Sequence, residues 1–214
     1  MRIVGGDLRG KRLASVPGLT TRPTSDRIRE SIFDIITHRV RGAVVLDLFA
    51  GTGALGIEAL SRGAGYAVFI DQSRKALAVV ERNIRSCNLG SRAKIMRWDI
   101  LDKLTCLRSI RSPVPFSDPV APSDPKGPGR RRMDGDPVFD LVLMDPPYHQ
   151  NAVEGALHRL HESRTVVHGA LIVVEHASAE SISEKLLPYE VADERKYGRT
   201  RVSFLRYRVE NGKD

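Results

Sequence analysis

Four consecutive residues, Asp145-Pro146-Pro147-Tyr148, bring together a carboxylate, a pair of proline rings and an aromatic face. Proline supplies no N–H and holds φ near one value, so this is a stiff turn with outward-facing carbonyls. Asp145 and the Pro146 carbonyl can accept the two hydrogens of one exocyclic amino group, and Tyr148 offers a surface on which a flat ring stacks. The chemistry such a set serves is presentation of a planar amine to an electrophile. A plain turn closing a strand accounts for Asp and Pro as well, so the elements around the motif must decide.

The run before it, Val138-Phe139-Asp140-Leu141-Val142-Leu143-Met144, has the apolar density and length of a buried parallel strand. The motif therefore falls at the carboxyl end of a strand, the edge where open α/β sheets bind ligands. A second such junction is Leu46-Asp47-Leu48-Phe49-Ala50-Gly51-Thr52-Gly53-Ala54-Leu55-Gly56. Gly51, Gly53 and Gly56 match GxGxxG, and Asp71 stands 20 residues beyond Gly51 at the end of the next strand. A nicotinamide dinucleotide is one candidate for that loop, with Asp71 on its ribose hydroxyls. Two features favour S-adenosylmethionine instead. Asp47, four residues before Gly51, suits an ammonium or a bridging water, whereas its charge is unfavourable beside a pyrophosphate. The Asp-Pro-Pro-Tyr turn, moreover, has no part in hydride transfer. With a phosphate-free cofactor, Gly51 and Gly53 serve close approach of the backbone, Asp71 accepts from the ribose hydroxyls, and Asp99 from the adenine amine. Any one of these acids suits a cap or a turn; Asp47, Asp71, Asp99 and Asp145 at four strand ends are harder to explain that way.

Alternating elements position these groups. Strands are expected at Ala43–Leu48, Tyr66–Ile70, Ala93–Trp98, Val138–Met144 and Ala170–Val174, with helices at Ala54–Arg62, Ser73–Cys87, Val153–Leu160 and Ala179–Leu187. That alternation implies a parallel sheet covered on both faces. The closing strands Tyr189–Lys196 and Arg201–Val209, joined by Tyr197-Gly198-Arg199-Thr200, break the rhythm and add an antiparallel strand. Upstream, Thr24 or Ser25 caps a helix whose Ile28, Ile32, Ile35 and Ile36 face the core, leaving Arg27, Arg29 and Glu30 on or beside its exposed face. Residues 1–23 form a basic hairpin extension, and residues 24–214 the main domain. Residues 109–137, rich in proline and carrying Arg130-Arg131-Arg132, form an exposed insertion.

The chain has 214 residues, 34 Lys plus Arg against 26 acids, a formal charge of +8 and a pI near 9.8, a balance that favours a polyanionic partner. Cys87 and Cys106 form no ligand-like pattern, so no metal site is expected, and a reduced cytoplasmic setting is the default. No apolar stretch approaches a membrane span, and neither a signal peptide nor a membrane partner is expected.

Several segments together resemble the RsmD family of small-subunit rRNA guanine-N2 methyltransferases, which are class I S-adenosylmethionine-dependent enzymes. They are Arg2-Ile3-Val4-Gly5-Gly6, Arg22 to Phe33, Asp47 to Gly63, Asp145-Pro146-Pro147-Tyr148 and Tyr197-Gly198. The resemblance implies a Rossmann-like α/β fold with a seven-stranded, mostly parallel sheet in the order 3-2-1-4-5-7-6 and strand 7 antiparallel. It also implies that Asp47, Phe49, Gly51, Gly53, Asp71 and Asp99 bind S-adenosylmethionine, leaving S-adenosylhomocysteine as product, while Asp145, Pro146 and Tyr148 hold the target guanine. The Pro/Arg-rich insertion is longer than the family pattern needs. Arg2, Arg9, Lys11, Arg12, Arg22 and Arg27 are the candidate contacts to the RNA backbone. The expected enzyme is a monomer acting on 16S rRNA in an assembled or assembling subunit. Alternatives at this point are a DNA adenine-N6 or cytosine-N4 methyltransferase, whose amines the same clamp would fit, and a catalytically silent RNA-binding assembly factor.

Overall fold

A computed structural model describes residues 1–17, 25–110, 139–147, 152–183, 186 and 188–208. Arg22, Tyr148, the capping candidate Thr24 and all of the insertion but residues 109–110 lie outside them.

In chain order the elements are α1 (Asp26–Ile35), α2 (Thr37–Val40), β1 (Val44–Leu48), α3 (Ala54–Ser61), β2 (Tyr66–Asp71), α4 (Arg74–Ser86), β3 (Ala93–Arg97), β4 (Phe139–Met144), α5 (Ala152–Ser163), β5 (Val166–Ala177), β6 (Tyr189–Tyr197) and β7 (Thr200–Tyr207). The seven strands form one sheet in the order β3-β2-β1-β4-β5-β7-β6, the order the resemblance implies. Strands β1 to β5 pair in parallel, and β7 runs antiparallel to both β5 and β6. Every residue of β1 is buried, which is why its sequence reads as an unbroken apolar run interrupted only by Asp47. Alternate side chains along the strands feed two cores. One lies beneath α1, α2, α3 and α4 and includes Val45, Leu143 and Phe204; the other lies beneath α5 and the 100–110 segment and includes Leu46, Val142 and Leu205.

Helix boundaries follow local chemistry. The Ser25 hydroxyl accepts the Ile28 N–H at 3.1 Å and caps α1. Ser73 caps α4 in the same way through Ala76 N–H at 3.3 Å. Of the apolar stripe Ala76, Leu77, Val80 and Ile84 that helical spacing puts on one face of α4, Ala76, Val80 and Ile84 are buried and Leu77 is half-buried.

Two expectations are corrected. Of the segment 179–187, the described residues 179–183 and 186 are not helical: Glu180 N–H reaches Ala177 O at 2.9 Å in a turn, and Leu186 N–H reaches Ser183 O at 3.0 Å. Ser181 and Ser183 lower the helix propensity of so short a segment, and among its described residues Ile182 is buried with Leu186 packed against the same core. Arg29, placed on or beside an exposed helix face by its spacing, is 0% exposed. The face of α1 that carries it is covered by the N-terminal segment, and its guanidinium donates to Arg2 O and to Asp26 Oδ1.

That N-terminal segment is a tight antiparallel loop. Arg2 and Arg12 form a bridge, Ile3 N–H donates to Lys11 O at 2.9 Å, and Gly10 N–H donates to Ile3 O at 2.8 Å.

Candidate active site

The loop leaving β1 has an unusual backbone. Phe49, Gly51 and Gly53 all take positive φ, at 60°, 55° and 77°. Such angles are free for glycine but strained for phenylalanine, and strain of this kind concentrates where a loop must meet a ligand. Three hydrogen bonds hold the shape: Ala50 N–H to Ile70 O at 3.0 Å, Gly53 N–H to Ala50 O at 2.6 Å, and Gly51 N–H to Asp71 Oδ2 at 2.9 Å. Gly53 caps α3 without a side chain, and among the first amides of that helix Gly56 N–H is taken by the Asp47 carboxylate.

The three glycines answer to different needs. A Cβ on Gly51 would meet little, with Phe49 O at 3.9 Å, so open space lies before it. On Gly53 it would sit 3.2 Å from Val80 Cγ1. On Gly56 it would stand 2.4 Å from the Phe69 ring and 2.9 Å from Asp47 Oδ2, so this third glycine lets α3 lie close against the sheet.

The four strand-end acids are not equivalent. Asp47 is 1% exposed and its Oδ2 accepts the Gly56 N–H at 2.9 Å, so it sits in the wall behind the loop. Burial raises its pKa from 3.8 to about 8, against the lowering effect of Gly56 and with a smaller upward push from Asp71. A carboxyl pushed toward its neutral form weakens the charge argument against a pyrophosphate. Asp71 is half-buried and receives two amides, Gly51 N–H on Oδ2 and Ser73 N–H on Oδ1 at 2.8 Å. It thereby ties the β1 loop to the start of α4, and a carboxylate has lone pairs left for hydroxyl donors. Asp99 is exposed, and its Oδ1 accepts Leu101 N–H at 3.0 Å. Trp98 beside it donates its backbone N–H to Asp71 O at 3.1 Å, so the β2 and β3 ends are joined.

Asp145 is half-buried, Pro146 buried and Pro147 exposed. Met144 pairs with Leu48 in register, so Asp145 and Phe49 leave adjacent strands at the same level. The structure thus gathers Asp145, Phe49, Gly51, Gly53 and Asp71 along one stretch of the carboxyl edge, with Asp99 one strand further out.

Arg2, Arg9 and Arg12 are exposed and Lys11 is half-buried. Arg27 is exposed on α1, and Arg2 pairs with Asp26 at 3.5 Å. A shallow concavity of about 500 Å³ on α1, lined by Arg27, Glu30, Ser31, Asp34 and Ile35, contains none of the strand-end acids. The turn Tyr197-Gly198-Arg199-Thr200 reaches α1 through a Tyr197–Ser31 hydroxyl contact, with Arg199 exposed.

Sequence reasoning missed Asn83. This buried side chain accepts Ala14 N–H at 2.7 Å and donates to Ala14 O at 3.1 Å and to Thr52 O at 2.9 Å. It joins the N-terminal segment and the glycine loop to α4. The available signal was an amide beside the apolar stripe of that helix. Glu58, treated below, was missed in the same way. Among the described residues no group of three or more His, Cys, Asp or Glu could hold a metal, and no helix is long and apolar enough to cross a membrane.

Comparison with known proteins extends over nearly the whole chain. The family described as "Conserved hypothetical protein 95" matches residues 1–119 and 124–206. The "Putative rRNA methyltransferase YlbH" of Bacillus subtilis is 31% identical over 208 residues, covering 97% of this chain and 100% of that protein. The "Ribosomal RNA small subunit methyltransferase D" of Haemophilus influenzae is 30% identical, covering 82% and 78%. A solved structure described as the putative methyltransferase yhhF from Escherichia coli superposes with a TM-score of 0.74 at 26% identity, covering 98% of this chain and 99% of that one.

Proposed function

Since the chain belongs to this family of ribosomal RNA methyltransferases, the RsmD family, we propose that it methylates the exocyclic N2 of a guanine in small-subunit (16S) rRNA. It is an S-adenosylmethionine-dependent rRNA methyltransferase with the class I fold. The guanine and the residue roles below are the proposal. The observation that supports these roles is the placement of Asp145 and Pro146 level with the glycine loop on the neighbouring strand, while the choice of guanine rests on the family.

The residues present fit the cofactor. Open space before Gly51 admits it to the backbone, and Asp71, already holding the loop, keeps capacity for ribose hydroxyls. Asp99 is exposed for the adenine amine, and Asp47 shapes the loop from behind. S-adenosylmethionine supplies an electrophilic methyl on a positively charged sulfur, and no metal is called for.

A guanine N2 is a weak nucleophile because its lone pair is delocalised into the ring. Asp145 and the Pro146 carbonyl accept its two hydrogens, which favours pyramidal nitrogen and aims the lone pair at the methyl. Alignment of this kind contributes much of the rate in an in-line displacement. As the nitrogen gains positive charge, the fixed carboxylate of Asp145 would stabilise it, and the nitrogen would then release one proton to solvent water. Tyr148 stacks on the base, returning about 1–3 kcal/mol of the cost of turning it out of its neighbours. Arg2, Arg9, Lys11, Arg12, Arg22 and Arg27 contact phosphates, and the enzyme works as a monomer in the cytoplasm on a subunit particle.

Purified protein, S-adenosylmethionine and small-subunit particles, followed by nucleoside mass spectrometry, test this. N2-methylguanosine is the expected product. N6-methyladenosine would overturn the base assignment, and an unmodified RNA from an enzyme that binds cofactor would overturn the substrate.

A further inference from the structure

How the basic N-terminal loop is seated on α3 accounts for residues the active site leaves unexplained. The Val4 and Gly5 amides donate to Glu58 Oε2 and Oε1 at 2.9 and 2.7 Å. Leu8 N–H donates to Ser61 Oγ at 3.0 Å, and that hydroxyl donates to Gly5 O at 2.6 Å. Glu58 is 0% exposed in a helix whose every residue is buried, a costly place for a carboxylate unless its oxygens are occupied. Arg62 Nε at 2.9 Å and Arg29 Nε at 3.5 Å complete its surroundings.

Gly5 and Gly6 make the close approach possible. A Cβ on Gly5 would stand 2.5 Å from the Arg62 guanidinium, and on Gly6 it would stand 2.0 Å from Ser61 O, at a φ of +73°. Backbone therefore lies directly on the last turn of α3, fixed by a carboxylate and a hydroxyl one turn apart. The same helix begins at the glycine loop, so one rigid element carries the cofactor loop at one end and the basic loop at the other.

We propose that Glu58 is a positioning residue for RNA, holding the N-terminal loop so that Arg2, Arg9, Lys11 and Arg12 meet the substrate backbone in register with the active site. This rests on the reading that the loop contacts RNA. A purely structural role would damage folding, cofactor binding and turnover together. A positioning role moves the RNA KM while kcat at saturating RNA and cofactor affinity hold.

The test compares Glu58→Gln, the milder Ser61→Ala, and a double variant Arg9→Gln with Arg12→Gln, each assayed on small-subunit particles across a salt series. S-adenosylhomocysteine titration calorimetry and thermal melts accompany the kinetics. Glu58→Gln is expected to raise the RNA KM about tenfold, the scale of one charge-assisted hydrogen bond, and Ser61→Ala to raise it less. Loss of kcat and cofactor affinity at unchanged KM would overturn the positioning role. Should Glu58→Gln fail to fold, Ser61→Ala decides, an unchanged KM again refuting the proposal. If the double arginine variant leaves KM and salt dependence untouched, the RNA reading of the loop fails. If it raises KM while both α3 variants leave it unchanged, the loop binds RNA and the positioning proposal alone fails.

Discussion

On the β1–β3 side of the sheet edge, backbone does most of the shaping. Positive φ angles at Phe49, Gly51 and Gly53 are held by Asp71, Asp47 and Asn83, each bonded to main chain. On the β4 side, Asp145 and Pro146 present one carboxylate and one carbonyl from a proline-stiffened turn, and the charges assigned to RNA sit apart, on the N-terminal loop and α1. The contrast follows the ligands. A small donor of one shape can be met by a preformed cradle, where rigidity lowers the cost of binding. On the proposed reading, a nucleotide within a large polyanion arrives with its own scaffold, so it would be gripped at scattered phosphates and shaped only around the reacting nitrogen.

The largest expected effect lies on the acceptor side. Asp145→Ala should lower turnover by about 10²–10³-fold, the scale of losing one group aimed at developing charge, while S-adenosylhomocysteine titration shows nearly unchanged affinity. A parallel loss of cofactor affinity would mean that the two sides are one unit. The mirror experiment is Gly53→Val, which forces a branched side chain into a φ of +77° and against Val80. Strain of about 1–2 kcal/mol or more should weaken cofactor binding tenfold or more in calorimetry, with RNA retention on filters little altered.

A third test concerns the wall behind the loop. Asp47 has its pKa raised from 3.8 to about 8, so the folded protein binds a proton there that the unfolded chain has released. Its contribution is fully present below about pH 4 and is lost as pH rises through that window to about 8. Asp47→Asn keeps an acceptor for the Gly56 N–H and removes the titration. Thermal melts should therefore show the variant gaining on the parent from pH 5 to pH 8, by at most about 1.4 kcal/mol per pH unit. Parallel melting curves would mean that Asp47 stays ionised. The smallest effect is expected from Arg27→Gln: a salt dependence of RNA binding shallower by about one phosphate contact. An unchanged slope would remove α1 from the acceptor side.

What could be read from sequence divides along similar lines. Strand ends, the glycine loop and Asp145 were legible because the chemistry is local: residue type, spacing and the end of an apolar run suffice. Arg29, Glu58 and Asn83 were not, because their meaning lies in partners 27, 54 and 69 residues away. Helical spacing put Arg29 on or beside an exposed face, and that face is covered by a segment which the periodicity of α1 cannot reveal. The helix expected at 179–187, absent among the described residues of that segment, failed differently. Its apolar residues, Ala179, Ile182, Leu186 and Leu187, keep helical spacing, but Ser181 and Ser183 lower the helix propensity of so short a segment.

The pairing of β1 with β4 sets the order in which the chain can complete itself during synthesis. Val44 N–H bonds the Asp140 side chain at 2.8 Å across a separation of 96 residues. At about 5–20 residues per second on a ribosome, β1 therefore waits roughly 5–20 s with one apolar edge uncovered, a template for pairing with other chains. Newly made molecules should lean on chaperones during that interval and form their central sheet slowly, because the contact that closes it is so distant in sequence.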